Sequence, residues 1–167
     1  LMWLRKGPVI AELYAGEDFY CRARSAPFSG PGLAALEQAR DEGRPVILAT
    51  AHFGNYDAAR AALVARGYSM GSLYRRMANP YFNEHYVAAM KANHGLMFEQ
   101  GKRGMVELVR HLKKSGIVAI VTDLHAQGGE FIDFFGKPAV TSTIPAELAL
   151  KFDAPLIPVY AVRQDNG

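Results

Sequence analysis

The chain has 167 residues, half of them hydrophobic and 21% charged, with a formal net charge of +3. That is the balance of a folded globular domain with one proper core, and it excludes a disordered chain. No run nears the about 20 consecutive apolar residues of a membrane span, no basic stripe interleaved with aromatics suggests nucleic acid, and a single cysteine, Cys21, permits no internal disulfide.

Residues 1–30 read as an N-terminal helical segment, and residues 31–167 as the main domain, with the turn-rich "SAPFSGPG" (25–32) between them. Arg5, Lys6, Pro8, Glu12 and Glu17 break up the N-terminus and argue against a secretory signal. Trp3 with Leu1, Met2, Leu4 and Ile10, beside Arg5 and Lys6, is a candidate membrane-interface contact, with a helix packed on the domain as the alternative. Next come "LAALEQARDEG", a helix closed by Gly43, and "PVILATA", a buried strand. "YDAARAALVARG" is a helix closed by Gly67, "YSMGSLYR" a strand, and "NPYFNEHYVAAMKANHG" a helix opened by Asn79-Pro80. "LMFE" (strand), "RGMVELVRHLKKSG" (helix) and "IVAIVTD" (strand) follow, then a segment of low periodicity over 123–143. "IPAELALKFD" (helix) and "PLIPVYAV" (strand) end the pattern. Asn166-Gly167 is a hairpin signal with no returning strand, and the chain opens on Leu1. The expectation is a truncated chain, with any membrane anchor outside it.

Strands alternating with helices, each strand a near-continuous apolar run, predict an α/β fold: a mainly parallel central sheet covered by helices on both faces. Ligands in such folds sit at the carboxyl ends of the strands. His52, Arg75 and Asp123 each fall at or just after such an end.

The stretch "VILATAHFGNYDAARAALV" (46–64) carries the sharpest signal. A strand delivers His52 to its own exit, and Asp57 follows five positions later in a first helical turn, capped by Asn55. A turn through "HFGN", eased by Gly54, would fold the imidazole toward Asp57. A carboxylate on one ring nitrogen fixes the tautomer and leaves the other as a base. No G-x-S-x-G elbow supplies a nucleophile, so the base would activate a hydroxyl or water from the substrate. Against this, His52 as a loop hydrogen-bonder and Asp57 as a helix-end charge weigh about evenly.

"AHFGNYD" resembles the H-x4-D/E block of the glycerolipid acyltransferase superfamily, and more closely the "HFGNWE" form of the lipid A lauroyl/myristoyl acyltransferases. "LYRRMANPYFN" (73–83) is similar to that family's second block, and "VTDLHAQGGEFIDFFGKPAVTSTIPAELAL" (121–150) to its third. Tyr56-Asp57 stands where the family has Trp-Glu, Arg76 where a proline is common, and His125 where a second acid is frequent. The resemblance implies transfer of a fatty acyl chain from a thioester, on acyl carrier protein or coenzyme A, to a hydroxyl of a lipid A precursor or related glycolipid. His52 and Asp57 would be the general-base dyad. Asn55, Tyr74, Arg75, Asp123, Phe135, Gly136 and Lys137 would bind substrate, Arg75 by holding a phosphate or an oxyanion. No cofactor or metal is implied. The expected setting is the cytoplasmic face of a bacterial inner membrane.

Three alternatives stand beside this reading. One is acylation of another membrane lipid, such as a phosphatidylinositol mannoside. A second is a metal-dependent hydrolase using His52, Asp57, Asp123 and His125. The third is a lipid-binding relative without activity. Phe131, Phe134 and Phe135 are candidates for an acyl groove or, individually, for core residues pinning a long loop. His85, His94 and His111 carry no chemistry in this reading. Arg103, Arg110, Lys113 and Lys114 are a solvated helix face or a carrier-protein docking surface.

Overall fold

The computed structural model describes residues 12, 16–92, 95–126 and 128–163. Trp3 and its neighbours and the Asn166-Gly167 turn lie outside them. The described elements run α1 (Glu17–Arg24), α2 (Gly32–Asp41), β1 (Val46–Thr50), α3 (Tyr56–Ala65), β2 (Met70–Tyr74), α4 (Pro80–Lys91) and β3 (Leu96–Glu99). They continue with α5 (Lys102–Leu112), β4 (Ile117–Val121), β5 (Glu130–Phe134), β6 (Lys137–Thr141), α6 (Ile144–Phe152) and β7 (Leu156–Pro158).

Five strands form one parallel sheet in the order β3-β2-β4-β1-β7. Strand β1 shows why both faces are covered. Val46 and Leu48 join Leu36 and Ala39 of α2 and Leu63 of α3 in one cluster. Ile47 points the other way, into a cluster with Leu108 and Leu112 of α5 and Leu148 of α6. Alternate side chains of a strand leave opposite faces, so a strand apolar on every residue needs helices on both sides. Each fully buried aliphatic here contributes about 1.5–3 kcal/mol. The expected α/β sandwich is therefore what the chain forms.

Helix α1 packs on α3 through Phe19, Tyr20, Ala23 and Ala61. His111 is buried, with Nε2 3.0 Å from the Ser69 carbonyl and 3.2 Å from that of Ile117. It ties α5 to the start of β4. The β3–α5 junction is closer still: a Cβ on Gly104 would lie 1.8 Å from the Glu99 carbonyl oxygen. Gly104→Ala is expected to destabilise the fold by about 1–3 kcal/mol, read as a lower Tm; an unchanged Tm would mean that α5 can shift freely against β3.

The segment after β4 differs from expectation. What reads as a loop of low periodicity contains an antiparallel hairpin, β5–β6, pairing Glu130 with Thr141 through to Phe134 with Lys137. Phe131, Phe134 and Phe135 are exposed, so none is a core residue.

Candidate active site

Parallel pairing of β1 with β4 aligns Thr50 with Val121. The ladder runs one step further, Thr122 N donating to the Thr50 carbonyl at 2.9 Å. Two residues past each aligned end, the chains turn out of the sheet carrying His52 and Asp123. The Asp123 carboxylate holds His52 twice: Oδ2 accepts from the backbone N–H at 2.9 Å, and Oδ1 lies 2.9 Å from ring Nδ1. In the neutral imidazole a ring nitrogen facing a carboxylate carries the hydrogen, which leaves the lone pair on Nε2. The Tyr56 ring stands edge-on to the imidazole, 5.6 Å between centroids. Burial is the main force pushing the Tyr56 hydroxyl pKa up, followed by Tyr86.

Asp57 is held elsewhere. Its Oδ1 accepts from Arg60 Nε at 2.6 Å and its Oδ2 from the Tyr20 hydroxyl at 3.0 Å. Arg60 Nη2 also donates to the Met90 carbonyl at 2.8 Å. Asp57 is 6% exposed, Arg60 4% and Tyr20 2%, so this ion pair is sealed between α1, α3 and α4. Burial, then the Asp57 charge, drives the Tyr20 pKa upward. In the structure the carboxylate on the imidazole is thus that of Asp123, and Asp57 faces helix α3's own arginine. The reason is helical geometry: Asp57 and Arg60, three residues apart, share a face, and that face is turned into the protein.

Asn55 is buried and has both halves of its amide occupied. Its oxygen accepts from Asp57 N at 3.0 Å, capping α3, and its Nδ2 donates to Glu12 Oε2 at 2.8 Å. Glu12 in turn pairs with Arg163. Gly54 has φ +60, and a Cβ there would lie 2.0 Å from the Ala161 carbonyl oxygen. The "HFGN" turn is therefore clamped beneath the backbone that follows β7. Gly54→Ala is expected to lower Tm, because either the Ala161 backbone or the turn must shift, and a shift of the turn that carries His52 would lower turnover as well. Wild-type turnover in that variant would show that the clamp does not position the imidazole.

The remaining predicted site residues spread along the same rim. Tyr74 ends β2, its hydroxyl donating to Glu99 Oε2 at 3.3 Å. Arg75 and Arg76 follow it, exposed, and no hydrogen bond or ion pair engages Arg75 among the described residues. Because β2 neighbours β4 on the side opposite β1, the rim order is Arg75, Asp123, His52. Asn79 caps α4 by accepting from Phe82 N at 3.1 Å. A concavity of about 440 Å³ opens beside Tyr74, lined by Glu99, Lys102 and Arg103 among others, and His52 is not in its wall. Phe135, Gly136 and Lys137 stand at the hairpin tip. Among the described residues no group of three or more His, Cys, Asp or Glu is gathered as a metal requires. His125 is exposed and Asp57 is enclosed, so the four candidate metal ligands do not meet.

Sequence reasoning missed Tyr20, Arg60 and Glu12. The Asp57–Arg60 spacing is a local signal that could have found one of them. Nothing local ties Tyr20 or Glu12 to the site.

The sequence model of the bacterial lipid A biosynthesis acyltransferases matches residues 20–167. A lipid A biosynthesis acyltransferase of Haemophilus influenzae is 28% identical over 131 residues, which cover 77% of this chain and 41% of that protein. A phosphatidylinositol mannoside acyltransferase of Mycobacterium tuberculosis is 29% identical over 144 residues, covering 81% of this chain and 44% of the relative. The chain thus spans under half the length of these curated relatives.

Proposed function

Since the chain belongs to the bacterial lipid A biosynthesis acyltransferase family, we propose that it transfers a fatty acyl group from a thioester to a hydroxyl of a membrane glycolipid. The observation that carries this reading is the 2.9 Å contact between His52 Nδ1 and Asp123 Oδ1, which frees Nε2 as a base at the sheet's carboxyl rim.

His52 Nε2 takes the proton of the acceptor hydroxyl as its oxygen attacks the thioester carbonyl. Asp123 stabilises the imidazolium that forms. The tetrahedral intermediate then collapses, the C–S bond breaks, and the departing sulfur receives the proton from Nε2. No covalent acyl-enzyme is needed, because the acceptor itself is the nucleophile. Arg75 holds the acceptor's phosphate or the developing oxyanion, its planar fork suiting either. Asn55 and Asp57 shape the turn and the helix that carry His52 instead of touching substrate.

The donor is acyl carrier protein or coenzyme A, and the acceptor a lipid A precursor. The mycobacterial relatives favour a phosphatidylinositol mannoside as the second acceptor to try. The setting is the cytoplasmic face of the inner membrane. None of the described helices is long and apolar enough to cross it.

The test offers both thioester donors with a panel of lipid A precursors and phosphatidylinositol mannosides, and identifies products by mass spectrometry. An acyl ester on one acceptor is expected. Thioester loss to water alone, with every acceptor present, would replace this reading with a hydrolase.

A further inference from the structure

The β5–β6 hairpin leaves the same rim as the dyad, seven residues after Asp123. Strands of five residues each carry its tip about 17 Å outward. All five β5 residues are exposed, although three of them are Phe131, Ile132 and Phe134. Phe131 is 75% exposed, Phe134 65% and Phe135 89%. Apolar rings at that exposure on a soluble surface call for a partner.

The turn adds a second, independent observation. Its two loop residues, Phe135 and Gly136, have φ +54 and +76. Two-residue hairpin loops with positive φ at both positions strongly prefer Asn, Asp or Gly at the first. A phenylalanine there is conformationally costly, and among the described residues little offsets that cost, since the ring is largely exposed. The neighbouring rings meet edge-to-face, 4.7 Å between centroids, so the tip presents one wedge. Asp133 does not face outward as a free charge at the tip: its Oδ1 accepts the Gly136 N–H at 3.1 Å. Glu130 sits at the base of the hairpin, opposite Thr141. The cation Lys137 lies directly across from Phe134. Aromatic rings at the end and a lysine one step behind match the layering of a bilayer, acyl chains beneath phosphates.

We propose that the Phe134–Phe135 tip is a wedge that enters the acyl region of a bilayer bearing anionic headgroups, with Lys137 at the level of the phosphates. This deepens the acyl-transfer reading, on which it rests for its purpose: an acceptor confined to a bilayer must meet a rim that touches the bilayer. The wedge sets the distance between His52 and that surface.

The decisive measurement is local to the tip, so that attachment through any other part of the protein does not mask it. Phe135→Trp in a Trp3→Phe background makes the tip the sole tryptophan. With vesicles of phosphatidylcholine and phosphatidylglycerol, its emission is expected to shift to the blue and to be quenched by lipids brominated on the acyl chains. A second pair of substitutions, Phe134→Ser with Phe135→Asn, is expected to lower vesicle partitioning at least tenfold while holding or raising Tm, because Asn suits the positive φ. Emission unchanged by vesicles overturns the proposal, whether or not the protein sediments with them. So does equal partitioning of the Ser/Asn variant and the wild type. A blue shift that grows with protein concentration alone identifies a second copy as the occupant, and one produced by acyl thioester alone identifies the acyl chain; either result replaces the bilayer. Failure of wild-type protein to acylate any acceptor, with tip quenching intact, would sink the acyltransferase reading and leave the wedge standing.

Discussion

Replacing His52 with alanine is expected to reduce acyl transfer by about 10²–10⁴-fold, the range supplied by a positioned general base, with Tm unchanged because the ring is partly exposed and bears no core packing. The measurement is single-turnover thioester consumption, with product followed in parallel. Asp123→Asn is expected to lose nearly as much, for a specific reason. The Asn Oδ1 can still accept from the His52 backbone N–H, as Asp123 Oδ2 does. The Asn Nδ2 then faces ring Nδ1 and donates to it. That places the ring hydrogen on Nε2, where the base should be. A near-wild-type rate in Asp123→Asn would mean that the carboxylate is not needed to set the tautomer, and the proposed dyad would have to be abandoned.

Asp57→Ala is expected to act on stability first. It leaves the Arg60 guanidinium, 4% exposed, without its anion. Removing one partner from a buried pair typically costs about 3–5 kcal/mol, a fall in Tm of roughly 10 °C for a domain of this size. Residual activity, measured well below the new Tm and corrected for folded fraction, should exceed that of His52→Ala. A variant as stable as wild type but as inactive as His52→Ala would return Asp57 to the chemistry.

These contrasting expectations show where the sequence was readable. The parallel sheet was legible because strands such as "VILAT" and "IVAIV" carry apolar residues at four or more consecutive positions, which burial on both faces accommodates. The placing of His52, Arg75 and Asp123 on one rim was legible too, because each follows the carboxyl end of a strand of that sheet. The pairing within it was not. H-x4-D suggests that the nearest acid serves the histidine, whereas strand register, a long-range property, brings Asp123 to it. Local spacing instead gives Asp57 to Arg60. The hairpin was illegible because "EFIDF" faces solvent on both sides and so lacks an apolar/polar alternation. Its turn hides a phenylalanine where Asn or Gly would have announced it.

The β1–β4 register has a kinetic consequence. His52 and Asp123 are 71 residues apart in sequence, so their meeting requires closure of a long loop that encloses helices α3, α4 and α5 and strands β2, β3 and β4. Parallel pairings of that span are slow to form, their entropic cost falling due before their contacts exist. On the proposed mechanism, a nascent chain still short of β4 lacks the carboxylate that sets the His52 tautomer. On that mechanism the base would be assembled only once the middle strand of the sheet has paired, so the order of synthesis would delay activity.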